Sequence, residues 1–268
     1  VVQAVRSDGF AGVERHIAVL GRALAALGHE VHVVGGRSQD MAAALRGSGV
    51  RHASADTTAD VARALVRLRH ADVIHTHMTA AEVAALTSRL LVRVPVVSTR
   101  HFAGRRLAGS PLRPAAPLIM RGLAAQTAVS HFVASAVDGK STVIHPGVEP
   151  VSGRSDPRTR VVLLAQRYQR EKEGRIALRA FAESGLGPQG WQLLVAGRGT
   201  QSPELRAEVS DLGISAHTEL LGHRPDIGTL MMQSAMLLAP CRVEGLGLTV
   251  LEAMARGLPV VAAGAGGQ

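Results

Sequence analysis

Short runs of valine, isoleucine and leucine alternate with longer amphipathic segments along almost the whole chain of 268 residues. The first run, residues 1–5, precedes a segment in which Val13, Ile17 and Leu20 recur at helical spacing and Gly28 ends the helix. Strands that alternate with helices form βαβ units, which assemble into a parallel sheet with helices on both faces. The pattern therefore predicts an α/β fold.

The alternation falls into two blocks separated by residues 146–160, a stretch rich in proline, glycine and serine that predicts a linker. In the first block, strands are predicted at 1–5, 31–34, 72–75, 94–99, 126–130 and 142–145, and helices at 13–27, 57–69 and 79–92. In the second block, strands are predicted at 160–165, 191–196, 218–221, 236–239 and 259–262, and helices at 174–184, 203–212, 227–234 and 248–256. We predict two Rossmann-like domains, residues 1–150 and 151–268, facing a cleft.

Composition excludes several classes of protein. With 46% hydrophobic and 19% charged residues, the chain can bury a core, which excludes general disorder. No apolar run reaches the roughly 18 residues that span a bilayer, and the N-terminus does not resemble an export signal. The single cysteine, Cys241, excludes an internal disulfide and favours a reducing, cytoplasmic location. The net charge is +9, but aromatic residues make up only 2%, which favours a basic surface over nucleic-acid binding.

The segment 240–252 combines a strand end, a glycine-containing loop and a helix start. Gly245 and Gly247 allow close approach of a ligand to the backbone, and free amides at a helix start favour anions. Carboxylates such as Glu244 and Glu252 accept hydrogen bonds from sugar hydroxyls. Spacing alone favours the simpler interpretation, in which Glu244 stabilises the helix dipole and Glu252 lies on a solvated face.

Two further segments follow predicted strands and carry groups suited to phosphate. Arg167 and Lys172 can neutralise a diphosphate, although a charge run of this kind is more often a solvated loop. Gly12, at the start of the first helix, can admit an anion to the helix N-terminus, although it can also be an ordinary turn glycine.

Histidines cluster at predicted strand ends. His75 and His77 form a His-x-His pattern, and His101 follows the strand at 94–99. No cysteine or carboxylate lies at ligand spacing from them, so we expect no metal site. A packed or hydrogen-bonded role is favoured for His75, whereas the position of His101, before an irregular basic segment, favours a site role.

Taken in order, these motifs resemble the retaining glycosyltransferases of family 4, which have the GT-B fold. The N-terminal half contributes Gly-Val-Glu-Arg at 12–15, Asp-Val-Ile-His-Thr-His at 72–77, Ser-Thr-Arg-His at 98–101 and His-Pro-Gly-Val at 145–148. The C-terminal half contributes the residues from Gln166 to Lys172, the pair Glu244 and Glu252, and Glu-Ala-Met-Ala-Arg-Gly-Leu-Pro-Val-Val at 252–261. The likeness covers nearly the whole chain.

The resemblance implies transfer of a sugar from a nucleotide diphosphate sugar to a hydroxyl of a glycan, lipid or small molecule, with retention of configuration. The catalytic residues that it implies are His101, Glu244, Arg167 and Lys172. The donor-binding residues that it implies are Gly12, Arg167, Lys172, Glu244, Gly245, Gly247, Leu248, Thr249 and Glu252. It implies an acceptor-side first domain and a nucleotide-sugar-binding second domain, no cofactor, no metal and no nucleic-acid partner. Cell-envelope glycan synthesis is the process it favours.

This sequence departs from the family pattern in three places. Gln166 stands where the family has a glycine before Arg167, and Ala11 stands in the family's Gly-Gly pair. Family members continue past Gly266 and Gly267 with further βα units and a helix that crosses back to the first domain, so the resemblance implies an incomplete second domain. Two alternatives therefore remain: a truncated, non-catalytic module that binds a sugar nucleotide, and a GT-B sugar-nucleotide epimerase.

The irregular segment 102–122 is predicted to be a loop and a short helix that covers the acceptor side or contacts anionic lipid at the inner membrane face. Its candidate lipid contacts are arginines and aliphatic side chains: Arg105, Arg106, Leu107, Leu112, Arg113, Leu118, Ile119 and Arg121. An ordinary loop and a peripheral membrane contact are equally compatible with this composition.

Overall fold

The computed structural model describes residues 1–7, 9–149, 151 and 159–268. These form two compact units, Val1–Pro146 (unit 1) and Gly147–Gln268 (unit 2). Most of the linker predicted at 146–160 and one residue of the first loop, Asp8, lie outside the described residues.

Unit 1 contains one parallel sheet with the strand order β3-β2-β1-β4-β5-β6-β7. Its strands are β1 (Val2–Val5), β2 (His32–Val34), β3 (Arg51–Ala53), β4 (Ile74–His77), β5 (Val96–Arg100), β6 (Ala125–Ala128) and β7 (Thr142–Val143). Its helices are α1 (Gly12–Ala26), α2 (Ser38–Leu45), α3 (Thr58–Arg67), α4 (Thr79–Thr87), α5 (Ala116–Arg121) and α6 (His131–Ala136). The order reverses between β1 and β4, and ligands of such sheets bind where it reverses.

The core of unit 1 lies on both faces of this sheet. Val2 and Ala4 pack on one face with Ile74, whereas Val5 packs on the other face with Ile17 of α1. Side chains alternate between the faces of a strand, so Gln3 shares the face that α1 covers. The register pairs Gln3 with His75 of β4, so these two polar side chains lie side by side on the face that α1 covers.

Unit 2 repeats the architecture with the strand order β10-β9-β8-β11-β12, again all parallel. Its strands are β8 (Val161–Ala165), β9 (Gln192–Ala196), β10 (Thr218–Gly222), β11 (Met236–Ala239) and β12 (Val260–Ala262). Its helices are α7 (Gly174–Glu183), α8 (Pro203–Asp211), α9 (Ile227–Gln233) and α10 (Leu248–Ala255). Here the order reverses between β8 and β11.

Each unit places a glycine after its second strand, against the end of its first. Gly35 has φ of +87°, and a Cβ there would lie 1.8 Å from the carbonyl oxygen of Val5. Gly197 has φ of +147°, and a Cβ there would lie 1.9 Å from the carbonyl oxygen of Gln166. No side chain fits at either point, so only glycine lets the two loops cross so closely.

The predicted α/β fold is confirmed, with differences in a few boundaries. The strand predicted at 72–75 lies at Ile74–His77, because its polar end is buried and continues the sheet. The helix predicted at 79–92 ends at Thr87. The helices α2 and α6 and the strand β3 were not predicted. The sequence of β3, Arg51–Ala53, contains no aliphatic run.

Candidate functional site

The site predicted in unit 2 lies where its strand order reverses. The loop after β8 carries Arg167 and Lys172, and the loop after β11 carries Glu244. Because β8 and β11 are neighbouring parallel strands, both loops leave the same edge of the sheet side by side. Two segments far apart in sequence therefore meet at the position where a doubly wound sheet binds its ligand.

The loop after β8 is closed by the residue that departs from the family pattern. Nε2 of Gln166 donates to the carbonyl oxygen of Lys172 at 2.9 Å, joining the two ends of the loop. The amide of Tyr168 donates to the carbonyl of Arg198 at 2.9 Å, which ties the loop to the segment after β9. Gln166 thus supplies a structural bond in place of the flexibility of glycine, while the side chain of Arg167 is exposed.

Lys172 and Glu244 form a direct ion pair between the two loops. Nζ of Lys172 lies 2.6 Å from Oε2 of Glu244, and the two side chains are 19% and 24% exposed. A second pair, Arg242 with Glu173 at 2.8 Å, lies beside it, and Sγ of Cys241 donates to the carbonyl of Glu171 at 3.3 Å. The predicted cation and the predicted carboxylate are therefore held together, each still reached by solvent.

The loop before α10 is shaped by the last residues of the chain. The amide of Gly267 donates to the carbonyl of Glu244 at 2.8 Å, and Nε2 of Gln268 donates to the carbonyl of Cys241 at 2.5 Å. Gly266 has φ of +71°, and a Cβ there would lie 2.9 Å from the carbonyl oxygens of Arg242 and Glu244. We call residues 263–268 the brace, because their hydrogen bonds hold this loop in place.

The loop after β11 leads directly into α10. Gly247 immediately precedes α10, and Leu248 and Thr249 occupy its first turn. Glu252 lies one turn later, half-buried, and Gly245 is buried in the loop. The start of α10 therefore follows directly on the loop that carries Glu244, and the amide of Leu248 in its first turn donates to the carbonyl of Leu246 at 2.8 Å.

In unit 1, the first loop is fixed by an acidic side chain. Glu14 of α1 is buried and accepts a hydrogen bond from the amide of Ala11 at 2.8 Å, and it also accepts from the hydroxyl of Ser7. Gly12 is the first residue of α1 and is exposed. The glycine predicted to admit an anion is thus accessible, and the carboxylate beside it is already engaged by the loop.

The histidines predicted at strand ends gather on the face of the sheet that α1 covers. The register places His75 beside Gln3 and His77 beside Thr99, so their side chains share this face. Nδ1 of His77 lies 2.9 Å from Nε2 of His101, and Nε2 of His77 lies 2.7 Å from Oε1 of Gln3. Their sequence separation of 24 and 74 residues hid these contacts from spacing analysis.

His16 of α1 completes the group, although its sequence context did not single it out. Its ring centroid lies 5.7 Å from that of His77 and 5.3 Å from that of His101. Nitrogen atoms of His16, His77 and His101 all lie within 4.8 Å of one another. His16 lies one turn after Gly12, and that turn of α1 faces the strand ends. This position could have identified His16 as a candidate member of the group.

Burial keeps these imidazoles neutral. Burial lowers the pKa of His101 to about 3, with smaller effects of His16, His75 and Arg100. Burial lowers the pKa of His75 to about 4 and that of His77 well below its usual range, and it also lowers the pKa of His16. At neutral pH these rings therefore act as hydrogen-bond donors and acceptors, or as metal ligands, and not as cations.

A buried ion pair anchors the segment that follows His101. Arg106 is fully buried, and its Nε and Nη2 each donate to Glu82 of α4 at 2.7 Å. Nη2 also donates to Oε1 of Gln126 at 2.5 Å, and the Arg106 amide donates to Oδ2 of Asp138 at 2.6 Å. The suggestion that Arg106 contacts lipid is wrong, because it is engaged inside unit 1. Ile119 is also wrong as a lipid contact, because it is 3% exposed.

Comparison with known families agrees with this arrangement of loops. The family model described as "Glycosyltransferase Family 4" matches residues 10–151, which is more than half of the chain, and the model described as "Glycosyl transferases group 1" matches residues 149–268. The chain belongs to glycosyltransferase family 4. Both units of this family 4 chain carry part of the match, as the motif order implied.

Two similar proteins are named as sugar transferases. The lipopolysaccharide core biosynthesis mannosyltransferase LpcC of Rhizobium leguminosarum is 33% identical over 167 residues, which are 55% of this chain and 47% of LpcC. The D-inositol 3-phosphate glycosyltransferase of Mycolicibacterium paratuberculosis is 35% identical over 144 residues, 47% of this chain and 32% of that protein. The match to this family 4 chain thus spans about half the length of LpcC and about a third of the length of the D-inositol 3-phosphate glycosyltransferase.

Among solved structures, Anabaena HepE in complex with UDP and glucose superimposes with a TM-score of 0.81 at 22% identity, covering 99% of this chain and 81% of HepE. This likeness confirms the GT-B class of fold. None of the helices in the described part of the chain has both the length and the apolar character needed to cross a bilayer.

Proposed function

We propose that this protein transfers a sugar from a nucleoside diphosphate sugar to a hydroxyl acceptor, with retention of configuration. The observation that carries the proposal is the meeting of Lys172 and Glu244 at the point where the strand order of unit 2 reverses, beside the start of α10. A cation and helix amides suit a diphosphate, and a carboxylate suits sugar hydroxyls. Relatives named as glycosyltransferases, and HepE with UDP and glucose bound, support the same chemistry.

Each candidate residue has a role in this proposal. Arg167 and Lys172 hold the diphosphate and stabilise the leaving group, an effect worth roughly 3–4 kcal/mol for each donor group. Glu252 accepts from the donor ribose, and Glu244 accepts from the sugar. Gly245 and Gly247 let the diphosphate approach the backbone closely, Leu248 and Thr249 lie beside it in the first turn of α10, and Gly12 gives phosphate access to the start of α1. His101, neutral because it is buried, hydrogen-bonds to the sugar or acceptor.

Retention follows in the proposal from a front-face substitution. The acceptor hydroxyl attacks the anomeric carbon on the side from which the diphosphate leaves, and the leaving phosphate takes the hydroxyl proton. Arg167 and Lys172 provide the positive charge that the departing diphosphate needs. The transfer itself requires no metal in this scheme.

The test incubates this chain with a panel of nucleoside diphosphate sugars. Calorimetry measures the binding of nucleoside diphosphate, and a second assay measures the release of nucleoside diphosphate in the presence of acceptors. Arg167→Ala should weaken diphosphate binding at least tenfold, because it removes a bidentate donor. Arg170→Ala, an exposed arginine in the same loop, is the matched control and should bind as the wild type does. Unchanged affinity in Arg167→Ala would refute the diphosphate assignment.

The two alternatives predict different products. A non-catalytic module binds the donor without releasing nucleoside diphosphate under any acceptor. An epimerase releases a product in which no sugar has been transferred. Nuclear magnetic resonance of the anomeric proton in the product separates retention from inversion, and an inverted product would overturn the retaining mechanism.

A lipid acceptor is the second element of the proposal, supported by the surface around α5. Phe102, Leu112 and Leu118 are 54%, 65% and 58% exposed. Arg105, Arg113 and Arg121 are exposed beside them. Exposed aliphatic side chains next to arginines favour an anionic membrane surface, and peripheral binding at the cytoplasmic face follows from that chemistry.

Vesicle co-sedimentation tests the membrane contact. Binding should be stronger to vesicles with anionic lipid than to neutral vesicles, and Leu118→Ser should reduce it severalfold. Leu27→Ser is the control, because Leu27 is 76% exposed at the end of α1 and does not belong to the segment 102–122. Equal sedimentation with both kinds of vesicle would exclude the membrane contact and leave the transfer reaction as proposed.

A further inference from the structure

The histidine group at the edge of unit 1 has the composition of a metal site. His16, His77 and His101 come from α1, from β4 and from the residue after β5, and each offers a ring nitrogen within 4.8 Å of the other two. We propose that these three imidazoles bind one divalent transition-metal ion of the Zn²⁺ class, at a site that shares His101 with the proposed transfer reaction.

The hydrogen bond behind His77 prepares it as a ligand. Because Oε1 of Gln3 accepts from Nε2 of His77, the proton of this ring lies on Nε2 and Nδ1 carries a lone pair. That lone pair points at His101, 2.9 Å away. Metal-binding histidines almost always donate their other ring N–H to an oxygen in this way, which fixes both tautomer and orientation.

The proton between His77 and His101 marks the position that an ion would take. In the metal-free protein, Nε2 of His101 donates to Nδ1 of His77. When an ion binds both nitrogens, the proton of His101 moves from Nε2 to Nδ1, so the ring stays neutral and no proton is released.

The distances require only a small adjustment. Two imidazoles on a tetrahedral Zn²⁺, with bonds of about 2.0–2.1 Å, place their nitrogens roughly 3.4 Å apart. His77 and His101 must therefore separate by about half an ångström, and His16 must approach them. His16 and His101 are partly exposed whereas His77 is buried, so solvent reaches one side of the group and can supply the remaining ligand.

The donor set selects the kind of ion. Imidazole nitrogens suit Zn²⁺, Co²⁺, Ni²⁺ and Cu²⁺, whereas Mg²⁺ and Ca²⁺ require oxygen ligands. His75 is not part of the set, since its Nε2 lies 2.6 Å from Oγ1 of Thr99, which in turn bonds Oγ1 of Thr127. An ion here would remove His101 from hydrogen bonding, so bound metal should inhibit any reaction that uses this ring.

The experiment is a titration of the chelator-treated chain with Co²⁺, followed by visible absorption. We expect one ion per chain, with the intense bands of a four- or five-coordinate ion, and displacement by Zn²⁺. His16→Asn should weaken binding at least tenfold, and Gln3→Leu should weaken it about 10- to 100-fold through His77. His131→Asn is the control, because His131 and His145 form a separate pair in unit 1 with centroids 6.0 Å apart.

His16 is partly exposed, so His16→Asn is expected to fold normally, and it decides the outcome if Gln3→Leu does not fold. Absence of the Co²⁺ bands, or binding by His16→Asn equal to that of the wild type, would overturn the site. The titration needs no sugar nucleotide, so its failure leaves the proposed transfer untouched, and failure of the transfer leaves the metal site testable.

Discussion

Replacing Arg106 by methionine removes the guanidinium that neutralises Glu82 inside unit 1, and the structure lets the cost be estimated. The substitution loses two hydrogen bonds to the carboxylate, each of 2.7 Å, and a third to Gln126. Breaking a buried ion pair from one side costs about 3–5 kcal/mol, since it leaves an unpaired buried charge. Arg100 remains with its Nη1 3.5 Å from Glu82, so we place the loss of unfolding free energy at about 3 kcal/mol.

Urea unfolding followed by far-ultraviolet circular dichroism measures this loss. For a unit of this size, about 3 kcal/mol corresponds to a fall in melting temperature of roughly 6–12 °C. Emission of Trp191 reports on unit 2, so a change confined to the dichroism signal assigns the loss to unit 1. Arg63→Met is the control, because Arg63 pairs with Asp60 at the surface with 68% and 31% exposure, and its unfolding midpoint should not change.

A double variant separates the ion pair from packing. Glu82→Gln combined with Arg106→Met also takes the carboxylate away from Arg100, whose Nη1 lies 3.5 Å from Glu82, so the double variant should lose less than the sum of the two single variants because both singles break the same Arg106–Glu82 contact. A loss below about 1 kcal/mol in Arg106→Met, or losses of the two single variants that simply add in the double variant, would refute this account of how the segment after His101 is anchored.

Three further predictions concern unit 2. Gly197→Ala should cost about 3 kcal/mol or more of unfolding free energy, because its Cβ would meet the carbonyl of Gln166, whereas Gly264→Ala, with open space around it, should not change stability; equal effects would contradict this. Glu244→Gln frees Lys172, so nucleoside diphosphate should bind about fivefold more tightly in calorimetry while sugar turnover falls; weaker binding would argue against competition for Lys172. Cys241 is buried, and burial raises the pKa of its thiol, so iodoacetamide should modify it at least about tenfold more slowly than a free thiol at pH 8, with a rate still rising above pH 9; a free-thiol rate would disprove this.

The sequence pattern predicted almost every strand and helix of unit 2, because its aliphatic runs are short and its helices are bounded by glycine or proline. Unit 1 was predicted less completely. The strand β3 is an edge strand whose first and last residues are exposed, so it carries no hydrophobic pattern. The strand β4 extends to His77 because polar residues there are buried in hydrogen bonds, which no hydropathy pattern reveals.

For the candidate site, the residues could be predicted from the sequence but their contacts could not. Arg167, Lys172 and Glu244 could be proposed from sequence, because each lies in a charged or glycine-containing loop after a predicted strand. Their direct contact could not, since it depends on β8 and β11 being neighbours. The partnership of Gln3, His16 and His77 was also hidden, because strand order decides which side chains meet across a parallel sheet.

The brace has a consequence for protein engineering. The shape of the loop that carries Glu244 is encoded in two stretches of chain: its chemical groups lie at 240–252, and the hydrogen bonds that hold it come from Gly267 and Gln268. A chimera that imports only the first stretch from a relative would carry the new side chains on a loop without matching support. Donor preference should therefore be transplanted as a pair of segments, with the turn after β12 moved together with the loop after β11.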